Sequence, residues 1–175
     1  MSYWYVIFVT TGQEQHIVSL FNKCFTNNNF RAFIPMREAT FKRNGRISKE
    51  MKIMFPGYVF IETELCCNEF LKYFNHLHRT FNNIIKILKY GDSDEFAINE
   101  EERVYLERLI NNDNYIETSV GFIEGDNICV EEGPLKGRES IIKRINRHKK
   151  EAIIDIKIMG EYRQITVGLE ILRKI

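Results

Sequence analysis

Basic side chains are concentrated in one short stretch near the C-terminus. Residues 136–150 contain seven Lys and Arg side chains and one acid, Glu139, so the local charge is +6 in a chain whose total is +1. Lysine and arginine bind phosphates, and arginine can also pair with a guanine edge through two hydrogen bonds. The stretch therefore predicts nucleic-acid binding, with a merely solvated charged face as the alternative. The candidate residues are Lys136, Arg138, Lys143, Arg144, Arg147, Lys149 and Lys150, with His148 as a hydrogen-bonding or stacking partner.

A second basic segment surrounds Asn44-Gly45. Asn-Gly between two extended segments favours a two-residue hairpin turn, so the segment should form a β-ribbon. Lys42, Arg43 and Arg46 lie at the tip of this ribbon. Their one-sided charge predicts contact with a phosphate backbone, although charged hairpin tips are often simply solvated.

Aromatic residues are grouped in the segment Phe55-Pro56-Gly57-Tyr58-Val59-Phe60. Proline cannot donate to a β-ladder and glycine weakens one, so this segment predicts a bulge or an edge. A bulge would turn Phe55 and Tyr58 to a common side, where Trp4 from another strand could extend the aromatic surface. The alternative is an ordinary core, since most aromatic side chains are simply buried.

The sequence does not favour catalysis. His76 and His78 are two residues apart on a predicted helix, so they point to different faces and cannot hold one metal together. There is no glycine-rich phosphate loop and no nucleophile motif. The cysteines, which form no C-x-x-C pair, are Cys24, Cys66, Cys67 and Cys129. We therefore expect no enzyme activity, no cofactor and no metal.

Composition indicates a folded protein without membrane contact. Hydrophobic residues make up 44% of the chain and aromatic residues 13%, which is ample for packed cores. The near-neutral total charge argues against a polybasic membrane binder. No stretch approaches the length of a membrane span, and the N-terminus lacks the features of a signal peptide. These observations predict a cytoplasmic monomer.

The first part of the chain alternates strands and helices. Tyr3 to Val9 is rich in aromatic and β-branched residues and predicts a buried central strand. Thr11 and Glu14 have the spacing of a capping box, with Thr11 as N-cap of an amphipathic helix. Phe70, Leu71, Phe74 and Leu77 predict a second helix, and Asn99 is placed to cap a third.

The last part changes to a period of two. Ala152, Ile154, Ile156 and Ile158 face one way while Ile153, Asp155 and Lys157 face the other, and Gly and Asn turns recur about every ten residues. This pattern predicts a small β-barrel. We therefore expect an α+β chain, in which a mainly antiparallel sheet with helices (residues 1–112) is joined by a linker (residues 113–120) to the barrel (residues 121–175).

Taken together, these motifs resemble the NusG family of transcription elongation factors over nearly the full length of the chain. The aromatic first strand, the Gly12-x-Glu14 helix entry and the 55–60 segment are similar to the family's NGN domain. Gly125-Asp126, Gly133-Pro134 and Gly137 are similar to its KOW domain. The order of the two sets of motifs, with a short linker between them, strengthens the resemblance.

The resemblance implies a partner for each part. Its NGN domain implies binding to the β′ clamp helices of RNA polymerase through an apolar concavity lined by Trp4, Phe55 and Tyr58. Holding the clamp closed would favour the elongating state over paused states, which is a population shift and not catalysis. The ribbon with Lys42, Arg43 and Arg46 would lie towards upstream or non-template DNA.

The barrel departs from the general factors of the family. Where those usually have phenylalanine-glycine-arginine followed by threonine-proline, this chain has Met159-Gly160-Glu161 and continues to Ile165. This difference argues against contacts with Rho and a ribosomal protein. The added basic residues are similar to the specialised LoaP branch, which implies processive antitermination and recognition of a hairpin in the nascent RNA. A general elongation factor without hairpin preference and a ribosome-associated KOW protein remain the alternatives.

Overall fold

The protein is described by a computed structural model that covers residues 2–25 and 30–175, without the side chains of Lys42 and Arg43. Its elements in chain order are β1 (Tyr3–Val9), α1 (Glu14–Cys24), β2 (Phe30–Phe33), β3 (Met36–Arg43), β4 (Arg46–Ile53), β5 (Tyr58–Thr63), α2 (Cys67–Thr80), β6 (Ile84–Ile87), α3 (Glu100–Glu107), β7 (Tyr115–Ile116), β8 (Ser119–Glu124), β9 (Asn127–Glu132), β10 (Ile142–Asn146), β11 (Glu151–Ile158) and β12 (Glu161–Lys174). A short 3₁₀ turn at Glu139–Ile141 precedes β10. Within these described ranges, none of the helices combines the length and apolar character needed to cross a bilayer.

The chain forms two compact units that alternate along the sequence. The first contains Met1–Ile34, Phe55–Arg103 and Ile158–Gly160, and the second contains Pro35–Met54, Val104–Lys157 and Glu161–Ile175. The first unit holds the four-stranded sheet and its helices. The second holds the β3–β4 hairpin and most of the five-stranded sheet.

The first unit is built on a four-stranded sheet with the order β2-β5-β1-β6. β1 is central, as its aromatic and β-branched composition predicts, and pairs antiparallel with both β5 and β6. Tyr5, Val6 and Ile7 at its centre are completely buried. The ring of Tyr5 stacks on that of Phe70 from α2 with the centroids 4.0 Å apart, which fixes the helix against the sheet.

The start of α1 differs from the predicted capping box. The N-cap is Gln13, not Thr11, and α1 begins at Glu14. The Glu14 carboxylate does reach back, but it accepts hydrogen bonds from the backbone N–H of Gly12 and of Gly57, both at 2.7 Å. A second donor, the distant Gly57 N–H, therefore shares this carboxylate with the entry to the helix.

The other two helices agree with the sequence pattern. α2 buries Phe70, Phe74 and Leu77 on one face, as their three- and four-residue spacing predicts. Asn99 caps α3, because its side-chain oxygen accepts the N–H of Glu102 at 2.8 Å.

The ribbon around Asn44-Gly45 is the predicted hairpin. β3 and β4 pair without interruption from Met36↔Ile53 to Arg43↔Arg46. Asn44 and Gly45 both have positive φ, 51° and 77°, as a type I′ turn requires. The segment 113–120, predicted as a linker, contains β7, which pairs in parallel with β3, and the first residues of β8. Parallel pairing with a distant strand leaves no local sequence signal.

The C-terminal part is rich in β-strands, as predicted, and its strand order is β10-β11-β12-β8-β9. The alternation along β11 is exact, since Ala152, Ile154, Ile156 and Ile158 are all at most 1% exposed. With three α-helices and mainly antiparallel strands among the described residues, the chain has the expected α+β fold.

Candidate nucleic-acid and protein interfaces

Five aromatic rings form one connected group, here called the aromatic cluster. They are Trp4, Phe33, Phe55, Tyr58 and Phe60. The Trp4 ring meets Phe33 edge-on at 5.0 Å and Phe60 at 6.3 Å. Phe55 stacks on Tyr58 at 6.3 Å and lies 5.9 Å from Phe60. Phe60 thus lies between Trp4 and Phe55 and connects the three candidate side chains.

A turn, and not the expected bulge or edge, brings Phe55 and Tyr58 together. The N–H of Tyr58 donates to the carbonyl of Phe55 at 3.1 Å, which closes a four-residue turn with Pro56 and Gly57 at its centre. Gly57 has φ of +82°, the value that the third position of a type II turn needs. β5 begins only after this turn, and it lies inside the sheet between β2 and β1.

Gly57 also makes the closest approach in this region. A Cβ at this position would lie 2.7 Å from the Phe8 ring, so only glycine fits without displacement. Its N–H donates to Glu14, and its carbonyl accepts the N–H of Val9 at 2.8 Å. The spacing of Thr11 and Glu14 indicated only a helix cap, whereas this carboxylate also holds the turn that carries Phe55 and Tyr58.

The aromatic cluster is buried. Trp4, Phe55 and Tyr58 are 3%, 4% and 9% exposed. The indole Nε1 of Trp4 is also buried, and in the part of the chain that the structure describes it has no hydrogen-bond acceptor. A buried donor without a partner costs about 1–3 kcal/mol, so an acceptor oxygen placed beside the indole N–H would stabilise the protein.

The predicted basic residues 136–150 fall into two groups. Lys136 and Arg138 lie in the loop after β9, whereas the others lie on β10 and in the turn from β10 to β11. β10 and β9 are the two outer strands of the five-stranded sheet. The sequence cluster is thus divided between two segments of the fold.

Three of the predicted cations are used within the protein. Lys143 pairs with Asp155 at 3.5 Å and Lys150 with Glu170 at 2.5 Å. Arg138 donates from Nη1 to the carbonyl of Pro134 at 2.9 Å. These contacts reduce what the three side chains can offer to a phosphate.

The remaining basic side chains are available to a ligand. Lys136, Arg144, Arg147, His148 and Lys149 are exposed, and no ion pair of theirs is found among the described residues. Four of these five are permanent cations. A phosphate-binding surface therefore consists chiefly of Arg144, Arg147 and Lys149, with Lys136 on the separate loop.

The loop that carries Lys136 is held rigidly. Gly133 has φ of +95°, and a Cβ there would lie 2.7 Å from the Cα of Ser119. The Ser119 hydroxyl accepts the N–H of Leu135 at 3.1 Å. Glu139 accepts the N–H groups of Val130 and Gly137, and hydrogen bonds from backbone N–H groups, its own first, lower the pKa of this carboxyl. Glycine and proline here thus fix a basic loop in place.

The ribbon places Arg46 at its exposed tip. The side chains of Lys42 and Arg43, predicted to lie towards DNA, fall outside the described residues. Further along the ribbon, Lys49 is paired with Glu38 at 3.1 Å and the ammonium group of Lys52 lies 4.3 Å from the centre of the Phe41 ring. Of the three ribbon candidates, Arg46 is therefore the one with a described, exposed side chain.

Glu102 is a second buried carboxylate that the sequence did not identify. Its Oε2 accepts from the Tyr90 hydroxyl at 2.9 Å and the N–H of Met159 at 2.8 Å, and its Oε1 accepts the N–H of Gly160 at 3.1 Å. Met159 and Gly160 have φ of 53° and 79°, so the turn presents two adjacent N–H groups to the carboxylate. Glu102 and this turn both belong to the first unit.

No metal site emerges from the described side chains, in which no three His, Cys, Asp or Glu residues converge. The cysteines Cys24, Cys66, Cys67 and Cys129 are free thiols. Burial raises the pKa of the Cys67 thiol, which makes it less nucleophilic at neutral pH.

Several known proteins are similar to this chain. Residues 2–107 match the family model described as "Transcription termination factor nusG". The transcription termination/antitermination protein NusG of Pseudomonas aeruginosa is 25% identical over 95% of this chain and 94% of its own length. The protein of the same name from Halalkalibacterium halodurans is 23% identical over 95% and 94%. A solved structure of Thermotoga maritima NusG aligns with a TM-score of 0.48 at 18% identity, covering 98% of this chain and 94% of that one.

Proposed function

Since the chain belongs to the NusG family, we propose that it is a transcription elongation and antitermination factor that binds RNA polymerase and suppresses pausing and termination. It acts in the cytoplasm as a monomer and without catalysis. Residues 1–112 form the polymerase-binding domain, residues 113–120 the linker and residues 121–175 the RNA-binding domain. This division follows the resemblance to NGN and KOW domains.

Attachment to polymerase is assigned to the aromatic cluster, through Trp4, Phe55 and Tyr58. The observation that carries this assignment is the buried Trp4 Nε1, which lacks an acceptor among the described residues. A partner helix that placed a side-chain or carbonyl oxygen there would satisfy this donor and bury further apolar surface. Because the three rings are nearly inaccessible in this structure, binding requires the cluster to be uncovered.

Recognition of a nascent RNA hairpin is assigned to the basic side chains of the C-terminal part. Arg144, Arg147 and Lys149 are exposed and make no ion pair within the described structure, while Lys136 extends from the rigid loop at Gly133. Rigid strands with exposed cations at their ends suit the phosphates of a folded RNA. Lys143, Lys150, Arg138 and His148 support this surface, the first three mainly by holding it in shape.

Contact with upstream or non-template DNA is assigned to the hairpin ribbon. Arg46 is exposed at the turn, and Lys42 and Arg43 precede it in sequence. Their charge would add a sequence-independent contribution to binding at the transcription bubble.

The test is transcription in vitro through an intrinsic terminator, on templates with and without the native upstream leader. We expect the full-length protein to increase readthrough only when the leader RNA is present. Readthrough that does not depend on the leader would support a general elongation factor. That alternative is favoured by one observation: the relatives from Pseudomonas aeruginosa and Halalkalibacterium halodurans are both named as NusG itself.

The polymerase assignment has its own test. Tyr58→Ala should weaken binding to core RNA polymerase in a pull-down or by biolayer interferometry. Tyr162→Ala, which removes an exposed tyrosine of the C-terminal sheet, serves as the control. Circular dichroism would establish that both variants fold. Unchanged polymerase binding by a folded Tyr58→Ala protein would favour a ribosome-associated role.

A further inference from the structure

A cavity of about 220 Å³ lies beside the turn between β10 and β11, among the basic residues of the C-terminal part. The residues around it are mostly polar or charged, and only one is aliphatic. They are Arg144, Asn146, Lys149, Glu151, Ile153 and Thr166. Arg144, Asn146 and Lys149 lie within the basic stretch 136–150. Glu151, Ile153 and Thr166 were not among the residues predicted to bind.

One wall of the cavity is formed by two cross-strand pairs. Asn146 lies opposite Glu151, and Arg144 lies opposite Ile153, in the antiparallel ladder of β10 and β11. Ala152 and Ile154, which alternate with Glu151 and Ile153, are buried on the core face. Glu151 and Ile153 therefore point to the outer face, together with their ladder partners.

Glu151, the acid among these residues, is paired with an arginine from β3. Arg37 places Nη1 3.6 Å from Oε1 of Glu151, and the two side chains are only 13% and 22% exposed. An ionised carboxylate only accepts hydrogen bonds. The cavity thus combines a carboxylate acceptor with the two exposed cations of Arg144 and Lys149.

Asn146 is also fixed. Its Oδ1 accepts the backbone N–H of Lys149 at 3.1 Å, which closes the turn and leaves its amide NH₂ as the end that can donate to a ligand. The wall therefore offers an acceptor at Glu151, paired with Arg37, beside a fixed donor at Asn146. A bare phosphate would meet repulsion from Glu151, so the site suits a group that carries both hydrogen-bond donors and an adjoining phosphate.

We propose that this cavity accepts one unpaired guanine base of the RNA hairpin, an inference that rests on the proposed RNA-binding function. The Watson–Crick edge of guanine has two adjacent donors, N1–H and the N2 amino group, which match the two oxygens of one carboxylate. Adenine, cytosine and uracil lack such a pair of adjacent donors. Ile153 contacts the base, and Arg144 and Lys149 bind the flanking phosphates.

An unpaired base is the form of RNA that such a site can use. The bases of an A-form stem are hidden in a deep, narrow groove, whereas a bulged or loop base can turn outward and enter a protein cavity. The exposed cations Arg144, Arg147 and Lys149 would hold the stem beside the cavity through its phosphates. The base would then add selectivity to a contact that is otherwise electrostatic.

The experiment uses the full-length protein and a set of hairpins that share one stem and differ in a single bulged nucleotide. The bulge is guanine, inosine, adenine, cytosine or uracil, and a sixth hairpin has none. Fluorescence anisotropy gives Kd for each at one salt concentration. We expect the guanine bulge to bind about tenfold more tightly than the adenine bulge, at the lower end of what a bidentate base contact supplies. Inosine, which lacks the N2 amino group, should fall between them.

Glu151→Gln tests the assigned acceptor. This change also removes a negative charge, so it should strengthen binding to every hairpin, and the readout is therefore the ratio of Kd values for adenine and guanine. We expect the ratio to fall to about one. The matched control is Glu131→Gln, since Glu131 is paired with Arg173 at the same 3.6 Å and does not line the cavity. Its ratio should stay near that of the unmodified protein.

The outcomes separate this inference from the function on which it rests. If all six hairpins bind equally and with a strong salt dependence, the RNA-binding proposal stands and the guanine site is overturned. A guanine preference that survives in Glu151→Gln also overturns it. If no hairpin binds, the proposed function fails and this inference fails with it.

Discussion

Glu14 and Gly57 are 43 residues apart in the chain and are joined by a hydrogen bond of 2.7 Å between Oε1 of the carboxylate and the backbone N–H. The other carboxylate oxygen accepts the N–H of Gly12 at the same distance, and Glu14 is only 1% exposed. One buried side chain thus fixes both the entry to α1 and the turn that presents Phe55 and Tyr58.

Replacement of Glu14 by alanine should destabilise the protein strongly. Two backbone N–H groups, those of Gly12 and Gly57, would lose their acceptor, at about 1–3 kcal/mol each. Urea unfolding followed by circular dichroism should show a loss of about 3 kcal/mol in the free energy of unfolding. Glu62→Ala is the control, because Glu62 is paired with Arg31 at the surface and such pairs contribute at most about 1 kcal/mol. Equal effects of the two changes would contradict the role of Glu14.

The Tyr90 hydroxyl links the loop after β6 to the start of α3. It donates to Glu102 at 2.9 Å and accepts the N–H of Asn99 at 2.8 Å, and burial, together with the hydrogen bond to Glu102, raises its pKa to about 12. Tyr90→Phe should lower the free energy of unfolding by about 1–2 kcal/mol at neutral pH, since a buried carboxylate and a backbone N–H both lose a partner. Tyr162→Phe, at an exposed tyrosine, should change it by less than about 0.5 kcal/mol.

Glu38 should make part of the stability dependent on pH. Burial tends to raise the pKa of this carboxyl, but hydrogen bonds from Thr118 and Lys49 outweigh burial and lower it. A group whose pKa is lower in the folded state stabilises the protein above its unfolded pKa, near 4.3 for glutamate, and this contribution is lost as pH falls through the folded value. Unfolding measured from pH 7 to pH 3 should therefore show a smaller loss in Glu38→Gln than in the unmodified protein. Glu124→Gln, at an exposed position, should leave the profile unchanged.

Salt dependence should identify the cations that meet phosphates. If Lys136, Arg144, Arg147 and Lys149 each contact one phosphate, the plot of log K against log salt for a hairpin RNA should have a slope of about −3 to −4. Removing three of these charges in Arg144→Gln/Arg147→Gln/Lys149→Gln should reduce the slope by about 2 to 3. Lys174→Gln, at the end of β12, tests whether any exposed lysine has the same effect. A slope that does not respond to the triple change would exclude this surface.

Local patterns in the sequence were sufficient for the fold and for part of the sites. The central strand, the hairpin turn at Asn44-Gly45, the cap at Asn99 and the buried face of β11 all depend on neighbouring residues, and all were predicted correctly. The grouping of Trp4, Phe55 and Tyr58 was also predicted, although the turn that groups Phe55 with Tyr58 was expected to be a bulge or an edge.

Which charges remain available could not be predicted from local patterns. Lys143 and Lys150 look equivalent to Arg144 and Lys149 in the sequence, but their partners Asp155 and Glu170 come from strands that only the sheet pairing brings close. Glu151 likewise becomes part of a cavity wall through its ladder position opposite Asn146 and its contact with Arg37. Partners of this kind are set by strand register, which has no signature within a single strand.

The sequence by itself determined which residues are apolar, where turns interrupt the strands and where positive charge is dense, because these properties belong to single residues and their near neighbours. The tertiary structure alone decided that Glu14 supports Gly57, that Lys143 and Lys150 are paired with acids, and that Glu151 lies in a basic cavity. Each of these depends on two or more distant segments meeting at hydrogen-bonding or ion-pairing distance, and only the folded chain brings such segments together.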